Sequence, residues 1–280
     1  MPRGTAVSTD EAAGQARPIA PAGAGLRHWQ GQALVVGCGG IGTALLAALA
    51  ERAPQLQLVA TVRPERLAAG ADPRSGLRAA GLRAEEARLL PLDLGSDADL
   101  QRLRDSLAPG PPLRLILNSS GLLHGPALQP EKRLSQVNRQ ALERNFLVNA
   151  YGPLLLAQAL EPLLPRQQPC HFASLSARVG SIGDNQLGGW YSYRAAKAAQ
   201  NQLLRTLALE WRRRLPQACV SLLHPGTTAT PLSAPFQANV PPERLFSPER
   251  AAGQLLDVLE GLTPEQSGGF WAWDGQPIPW

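Results

Sequence analysis

The 280-residue chain contains no long apolar run. A helix that crosses a membrane needs about 20 consecutive, mainly apolar residues, and polar residues interrupt every stretch well before that length. The first 30 residues, rich in Ala, Gly, Pro and Arg, also lack the apolar core of a secretory signal peptide. We therefore expect a cytoplasmic protein with no membrane partner and a disordered extension over residues 1–30. An upstream start-site extension is one alternative; a weak targeting sequence is another, although Asp10 and Glu11 argue mildly against it.

Cysteine is scarce as well. The three cysteines, Cys38, Cys170 and Cys219, are far apart in the chain, and none belongs to a CxxC motif or to a Cys/His pair with metal-ligand spacing. Such an odd and widely spaced set argues against a disulfide scaffold and against a structural zinc site. We expect reduced thiols and no metal site.

Charge of one sign is not concentrated anywhere. The net charge is +5, from 27 basic and 22 acidic residues, and the basic residues are spread along the chain. The densest group, the three arginines at 212–214, closes a predicted helix, where cations oppose the helix dipole favourably. This pattern is typical of a solvated helix end, so we predict no nucleic-acid partner.

Short apolar runs alternate with helical patterns from residue 31 to the end of the chain. The runs predict buried strands at 33–36, 56–62, 89–92, 113–117, 171–173, 220–223 and 270–273. Helices are predicted near 40–52, 97–107, 134–162, 191–214 and 248–261. Residues 66–88 stay unassigned, and 230–247, with four prolines, form a predicted loop or lid.

Strand–helix alternation of this kind gives parallel strands joined by right-handed crossovers. We therefore predict an α/β fold, with a single Rossmann-type, doubly wound parallel sheet of about seven strands and helices on both faces. One domain would cover residues 31–280.

A glycine-rich segment follows the first predicted strand and leads into a predicted helix, the context in which a GxGxxG motif indicates a dinucleotide site. Glycine permits a tight turn and lets the backbone approach a pyrophosphate, which the helix N-terminus attracts. The predicted phosphate-binding residues are Gly37, Gly39, Gly40, Ile41 and Gly42.

The second predicted strand ends without an acidic residue. An Asp or Glu at that point would accept a hydrogen bond from the ribose 2′-hydroxyl of NAD. The chain instead has Arg63, with Arg66 three residues on, and a guanidinium suits a 2′-phosphate. We therefore predict that Arg63 favours NADP (NADPH) over NAD; the alternative is an ordinary surface arginine.

A tyrosine and a lysine stand four residues apart, at Tyr193 and Lys197, so a helix would place them on one face. A free tyrosine has a pKa of about 10, and a nearby ammonium brings that pKa towards the working range of an acid–base group. The pair gains weight from polar residues that would lie near the carboxyl ends of strands or on adjoining helices, where ligands bind. These are Asn118, Ser119, Ser120, Gly121, Asn149, Ser174 and Ser176.

Taken in this order, the motifs resemble the short-chain dehydrogenase/reductase superfamily over residues 31–280. Three stretches resemble its branch of C-factor and sniffer-type carbonyl reductases: 176–182, 189–194 and the ending 273–280. The resemblance implies that Tyr193 donates a proton to a carbonyl during reduction, and that Lys197 holds the nicotinamide ribose and lowers the tyrosine pKa. Asn149 would support a water-linked proton relay.

The same resemblance implies further contacts with the cofactor. Asp93 and Leu94 would border the adenine, and Asn118, with Ser119 and Gly121 beside it, would lie near the ribose. The nicotinamide pocket would be lined by Pro225, Gly226, Thr228 and Thr230. Hydride transfer belongs to the cofactor, and the protein supplies positioning and proton management.

Two departures from the family pattern stand out. The glycine loop is one residue shorter than the family spacing, and the usual catalytic serine position, three residues before Gly180, holds Ala177. Ser176 is the nearest hydroxyl and our predicted replacement, with Ser174 and Ser181 as alternatives.

The leading hypothesis is an NADP-dependent oxidoreductase that reduces an aldehyde or ketone, or oxidises the alcohol. Its partners would be a small carbonyl or alcohol substrate and further copies of the chain in a homodimer or homotetramer. The alternative is a nucleotide-binding signalling or regulatory protein of C-factor type with little turnover, for which Ala177 gives a physical basis.

Overall fold

The computed structural model describes residues 25–68, 72, 74–83, 85–126 and 128–280. Nine strands run through these residues: β1 Gly31–Val36, β2 Leu56–Val62, β3 Ala87–Pro91, β4 Leu113–Asn118, β5 Cys170–Leu175, β6 Ala218–His224, β7 Thr227–Thr228, β8 Leu245–Phe246 and β9 Gly269–Ala272. The same residues contain eight α-helices: α1 Gly40–Arg52, α2 Pro64–Ala68, α3 Ser75–Ala79, α4 Asp97–Leu107, α5 Arg139–Phe146, α6 Gly152–Leu160, α7 Tyr191–Arg214 and α8 Pro248–Gly261.

Seven of the strands form one parallel sheet in the order β3-β2-β1-β4-β5-β6-β9. This sheet confirms the predicted fold class. The chain order reverses between β1 and β4, so the connections leave the carboxyl ends of these two strands in opposite directions. In open α/β sheets the crevice at such a switch point is where ligands bind.

Two apolar layers cover the sheet. Side chains of α1 and α8 pack on one face, and side chains of α4, α6 and α7 pack on the other. The largest member of the second layer is Trp211 of α7, which is fully buried edge-on to Phe172 of β5. Fully burying one large apolar side chain contributes about 1.5–3 kcal/mol, so the two layers fix the sheet between its helices.

The segment predicted as one helix over 134–162 is divided in the structure. A short 3₁₀ turn precedes α5, and a π-helical segment at Leu147–Tyr151 separates α5 from α6. A π-helical segment widens the turn and occurs frequently at functional sites. Asn149 lies inside it.

Two other regions gain definition. The unassigned stretch 66–88 contains the end of α2, the short α3 and the start of β3. The predicted loop at 230–247 is held at its base by the two-stranded sheet of β7 and β8.

The predicted extension 1–30 lies outside the described residues as far as residue 24. Two of its last six residues pack onto the domain: Leu26 is buried, and the Trp29 ring stacks on His171 with ring centres 5.4 Å apart. The guanidinium of Arg114 covers the same Trp29 ring at 4.5 Å. The packed chain therefore starts before residue 31.

No helix in the described ranges combines the length and the apolar character needed to cross a bilayer.

Candidate active site

The glycine-rich loop lies at the carboxyl end of β1, beside the switch point. Gly37 has a φ of +92°, a conformation that glycine adopts without strain. A Cβ on Gly42 would lie 1.9 Å from the Gly37 carbonyl oxygen, so this position has no room for a side chain. Gly39 has no atom near its missing Cβ and precedes α1 without a side-chain cap. The N-terminus of α1 and the exposed backbone of Gly39 thus form an open cradle with the properties of an anion site.

The end of β2 is tied to this loop. Thr61 accepts a hydrogen bond from Gly37 N at 3.1 Å through Oγ1 and one from Cys38 N at 3.0 Å through its carbonyl. Arg63 is exposed just after the strand, and Arg66 Nη1 lies 3.4 Å from the Cys38 carbonyl oxygen. Arg66 therefore reaches the glycine loop directly, and Arg63 precedes it on the exposed segment after β2.

The loop after β3 carries Asp93 and Leu94. The Asp93 N–H donates to Asp99 Oδ2 at 2.8 Å, and Asp99 also accepts from Arg102. Leu94 is buried against Gly152, where an added Cβ would meet it at 3.0 Å. Asp93 is thus held at the sheet edge by the buried carboxylate of Asp99, while the Leu94 side chain belongs to the core.

The end of β4 links the cofactor side of the cleft to the core. Asn118 Nδ2 donates to Ser174 Oγ at 2.9 Å, and Asn118 Oδ1 accepts from Ser120 N and Oγ. Ser119 Oγ donates to the carbonyl oxygens of Val36 and Gly37 at 2.9 and 2.8 Å. These bonds fix the backbone that leads to Gly121.

Tyr193 and Lys197 lie together on the first turns of α7. The Lys197 ammonium is 5.9 Å from the centre of the Tyr193 ring, and the two residues are only 7% and 3% exposed. Burial raises the pKa of Tyr193 above its ordinary value and lowers the pKa of Lys197 to about 7. For Tyr193 this direction is opposite to the lowering of the tyrosine pKa expected from Lys197, because burial acts on the phenol more strongly; the phenol holds its proton at neutral pH.

Asn149 closes the other side of this region through the π-helical segment. Its side chain donates to the Leu122 carbonyl at 2.7 Å and to Asn145 Oδ1 at 3.1 Å, and it accepts from Leu122 N at 3.0 Å. Both polar atoms of the Asn149 side chain are therefore hydrogen-bonded within the protein. The side chain holds the loop after β4, so any contact with a water chain falls to the backbone of the segment.

The predicted serine does not face the cleft. Ser176 Oγ donates to Asn201 Oδ1 at 2.7 Å and is buried against α7. The alternatives are also buried, with Ser174 bonded to Asn118 and Gln200, and Ser181 accepting from Asp184 N. Side chains alternate along extended backbone, and Ala177, which is extended and only half-buried, follows Ser176. A methyl group therefore stands at the position where the resemblance led us to expect a hydroxyl.

The segment after β6 runs from the sheet to the glycine loop. Thr228 is buried and donates weakly to the Pro225 carbonyl at 3.4 Å, and Gly226 has a φ of +72° beneath the Phe246 ring. Thr230 packs on Gly40, where an added Cβ would lie 2.8 Å from Thr230 Cγ2. Thr230 thus contacts the phosphate end of the cleft.

Aromatic rings cover Tyr193. The Trp190 ring lies 6.2 Å from the Tyr193 ring and 4.9 Å from the Phe236 ring, and Phe236 also meets His124 edge-on. His124 Nε2 is 3.1 Å from the carbonyl oxygens of Pro231 and Leu232. The loop after β4 and the 230–247 loop therefore meet above the tyrosine.

Two buried polar residues near Tyr193 escaped the sequence analysis. Glu131, only 3% exposed, accepts hydrogen bonds from Ser192 N and Oγ, and its carbonyl accepts from Trp190 N. It thereby caps α7 from 61 residues away, next to a Trp190 in left-handed conformation. Gln200 lies beside Lys197 and is fully buried. No local motif in the sequence indicates the role of Glu131. Gln200 could have been found from its spacing, because it lies three residues after Lys197 on the same helix.

The chain is similar in sequence to several known proteins. The family model described as short chain dehydrogenase matches residues 32–241. The C-signal protein of Myxococcus xanthus is 36% identical over 148 residues, which are 52% of this chain and 83% of that protein. The 1-hydroxy-2-glutathionyl-2-methyl-3-butene dehydrogenase of Rhodococcus sp. (strain AD45) is 38% identical over 141 residues, which are 50% of this chain and 58% of that protein.

Solved structures extend the likeness over most of the chain. Carbonyl reductase Sniffer of D. melanogaster has a TM-score of 0.75 at 24% identity, and an NADPH-bound carbonyl reductase from chicken fatty liver has 0.77 at 22%; each covers 90% of this chain and 100% of its own. A carbonyl reductase from Pseudomonas aeruginosa PAO1 has 0.70 at 26% identity, covering 89% of this chain and 99% of its own. The first two show the shared fold, and the family model shows the relationship. The chain belongs to the short-chain dehydrogenase/reductase family of oxidoreductases.

Proposed function

We propose that the chain is an NADP-dependent reductase of aldehydes or ketones, working in either direction, with Tyr193 as its proton donor. The observation that carries this proposal is the buried pair of Tyr193 and Lys197 at the carboxyl end of the sheet, beside an open glycine cradle. Relatives named as carbonyl reductases, one of them bound to NADPH, support it.

The residues at the cradle fit a dinucleotide. Gly37 and Gly42 keep side chains out of the loop, and the uncapped N-terminus of α1 presents N–H donors and a positive dipole end to a pyrophosphate. Arg66, anchored over Cys38, and the exposed Arg63 supply positive charge for a 2′-phosphate. When bound, the nicotinamide supplies the hydride.

The chain's own residues handle the proton. Tyr193 would give its hydroxyl proton to the carbonyl oxygen as the alcohol forms, and the ammonium of Lys197 would stabilise the phenolate left behind. The rings of Trp190 and Phe236 would exclude water from this step and border the substrate. Asn149 would keep the neighbouring loop in place.

Binding of NADPH and NADH to the purified protein tests the cofactor end of this proposal. We expect micromolar or tighter binding of NADPH and weaker binding of NADH. Replacing either Arg63 or Arg66 by alanine should reduce NADPH affinity and leave NADH affinity nearly unchanged. Arg27→Ala, an exposed arginine in the 3₁₀ turn before β1, is the control. Absence of binding by either nucleotide would contradict the proposal.

A second candidate function is a nucleotide-binding regulatory protein with little turnover. Two observations favour it: a methyl group at the position where the resemblance led us to expect a hydroxyl, and similarity to a protein named C-signal. In that case NADPH would bind, and carbonyl reduction would stay at background for aldehydes and ketones of varied size. Biological activity would then survive Tyr193→Phe.

A further inference from the structure

A buried polar chain runs behind the Tyr193–Lys197 pair and is not required by the proton transfer described above. Lys197 Nζ donates to the Leu175 carbonyl at 2.8 Å and to Gln200 Oε1 at 2.9 Å. Gln200 Nε2 donates to Ser174 Oγ at 2.8 Å, which also accepts from Asn118. The chain thus connects the ammonium to the strand end beside the glycine loop.

The orientation of the Gln200 amide is determined by its neighbours. An ammonium has three donors and no acceptor, so the amide oxygen must face Lys197. The amide nitrogen then faces Ser174 and the Leu175 carbonyl, at 2.8 and 3.3 Å. Both ends are satisfied in a fully buried position, where an unmatched polar group would be costly.

No carboxylate among the described residues lies within ion-pair distance of Lys197, and the buried carboxylate of Glu131 at the start of α7 bonds to Ser192 instead. Every ion pair in the described part of the chain is made by an arginine. On α7 itself, the titratable group that faces Lys197 is Tyr193. From the turn at 178–180 the charged residue is Arg178, which is exposed and paired with Asp184 at 3.0 Å. The residues of β5 that contact the ammonium network, Ser174 and Leu175, are uncharged. The ammonium is therefore stabilised by neutral oxygen atoms, those of Leu175 and Gln200, and not by an opposite charge.

The Lys197 ammonium has three protons to donate. Leu175 and Gln200 take two of the three ammonium protons. The third is left for the side of the cleft where Tyr193 and, on the proposed function, the nicotinamide ribose lie. We propose that Gln200 is a positioning residue, whose amide oxygen favours the charged form of Lys197 and directs its remaining proton into the active site. This inference rests on the proposed function for its catalytic consequence and on geometry alone for the state of Lys197.

The sequence offers a direct probe of Lys197, because the chain contains only two lysines, Lys132 and Lys197. Protein labelled with carbon-13 at lysine Cε should give two signals, which Lys132→Arg assigns. Following the Lys197 signal against pH gives the midpoint of its ionisation. The variants are Gln200→Met, which removes the acceptor at similar volume, and Gln200→Glu, which replaces it with an acidic one. Gln202→Met, an exposed position of the same helix, is the control.

We expect the midpoint to fall by about one pH unit in Gln200→Met and to rise by about one unit or more in Gln200→Glu, the size expected for a hydrogen bond to a charged group. Gln202→Met should leave it unchanged. A purely structural role of Gln200 would lower the melting temperature without moving the midpoint in opposite directions. Midpoints that stay fixed, or move the same way in both variants, would overturn the proposal; should Gln200→Met not fold, the direction of the shift in Gln200→Glu decides.

The activity readout separates this inference from the proposed function. If wild type reduces carbonyl compounds, the alkaline limb of its kcat profile should move with the lysine midpoint in each variant, while the KM for NADPH changes less than kcat. If wild type shows no turnover, the proposed function fails, and the lysine titration still decides the role of Gln200.

Discussion

Substitutions at two adjacent residues, Ser176 and Ala177, test which of the two positions can donate a hydrogen bond to the carbonyl oxygen of a substrate. Ala177→Ser would put a hydroxyl on the half-buried, extended position that follows β5. Ser176→Ala would remove a hydroxyl that donates to Asn201 Oδ1 at 2.7 Å within the core. The two substitutions differ by one oxygen atom each and lie on opposite sides of the same backbone.

The two variants should differ in their effects on kcat and on stability. Removing one preorganised donor from an oxyanion site typically costs about 10²–10³ in kcat, so restoring a donor that lacks evolved support should return about tenfold, or about 1.4 kcal/mol of barrier. Ser176→Ala leaves a buried acceptor on Asn201 without its donor, which costs about 1–3 kcal/mol of stability. It should change kcat by less than about threefold.

Steady-state oxidation of NADPH with one responsive aldehyde, together with urea unfolding of each variant, measures both effects. If Ala177→Ser leaves kcat unchanged while Ser176→Ala abolishes it, the expectation is wrong, because Ser176 would then be the working hydroxyl despite its contact with Asn201. A gain in Ala177→Ser would also favour the enzyme over the regulatory alternative.

Two further outcomes are expected. Burial lowers the pKa of His171 from 6.5 to about 4; the unfolded chain therefore binds the extra proton more readily in that window, and stability falls as pH drops from 6.5 towards 4. Between pH 7 and pH 5 this residue alone should cost about 2 kcal/mol of the free energy of unfolding. His171→Phe, which keeps a ring against Trp29, should remove that part of the pH dependence measured by urea unfolding, whereas the exposed His28→Phe should not. The same dependence of stability on pH in wild type and both variants would contradict this. Arg66→Ala should weaken NADPH binding about tenfold or more in calorimetry, the value of one charge-assisted hydrogen bond. Its loss of affinity should be at least as large as that of Arg63→Ala, because Arg66 reaches the glycine loop. A larger loss of affinity in Arg63→Ala would contradict this order.

Local patterns were sufficient to predict much of this fold. Apolar runs predicted all seven strands of the main sheet, and the glycine motif was placed between a strand and a helix because its spacing is local. The contact of Tyr193 with Lys197 also follows from four-residue spacing on one helix. Hydrophobic period and short spacing are properties that the sequence displays directly.

Features that depend on distant contacts were not predictable in the same way. The direction of the Ser176 hydroxyl depends on Asn201, 25 residues later, and the cap on α7 comes from Glu131. The break within 134–162 stands directly before Gly152-Pro153, where Pro153 supplies no N–H to the helix; the contact of Asn149 with Leu122, 27 residues earlier, is the part that the sequence does not display. The packing of residues 25–30 depends on Trp29 meeting His171 of β5, a contact that composition cannot reveal.

The role of Tyr193 as proton donor is tested by the rate of NADPH oxidation across a panel of aldehydes and ketones, measured for wild type and for Tyr193→Phe, with NADPH affinity determined on the same preparations. We expect measurable turnover by wild type, a loss of at least about 10²-fold in Tyr193→Phe, the scale of general acid catalysis, and nearly equal NADPH affinity in both. Turnover that survives Tyr193→Phe at the wild-type rate would contradict it.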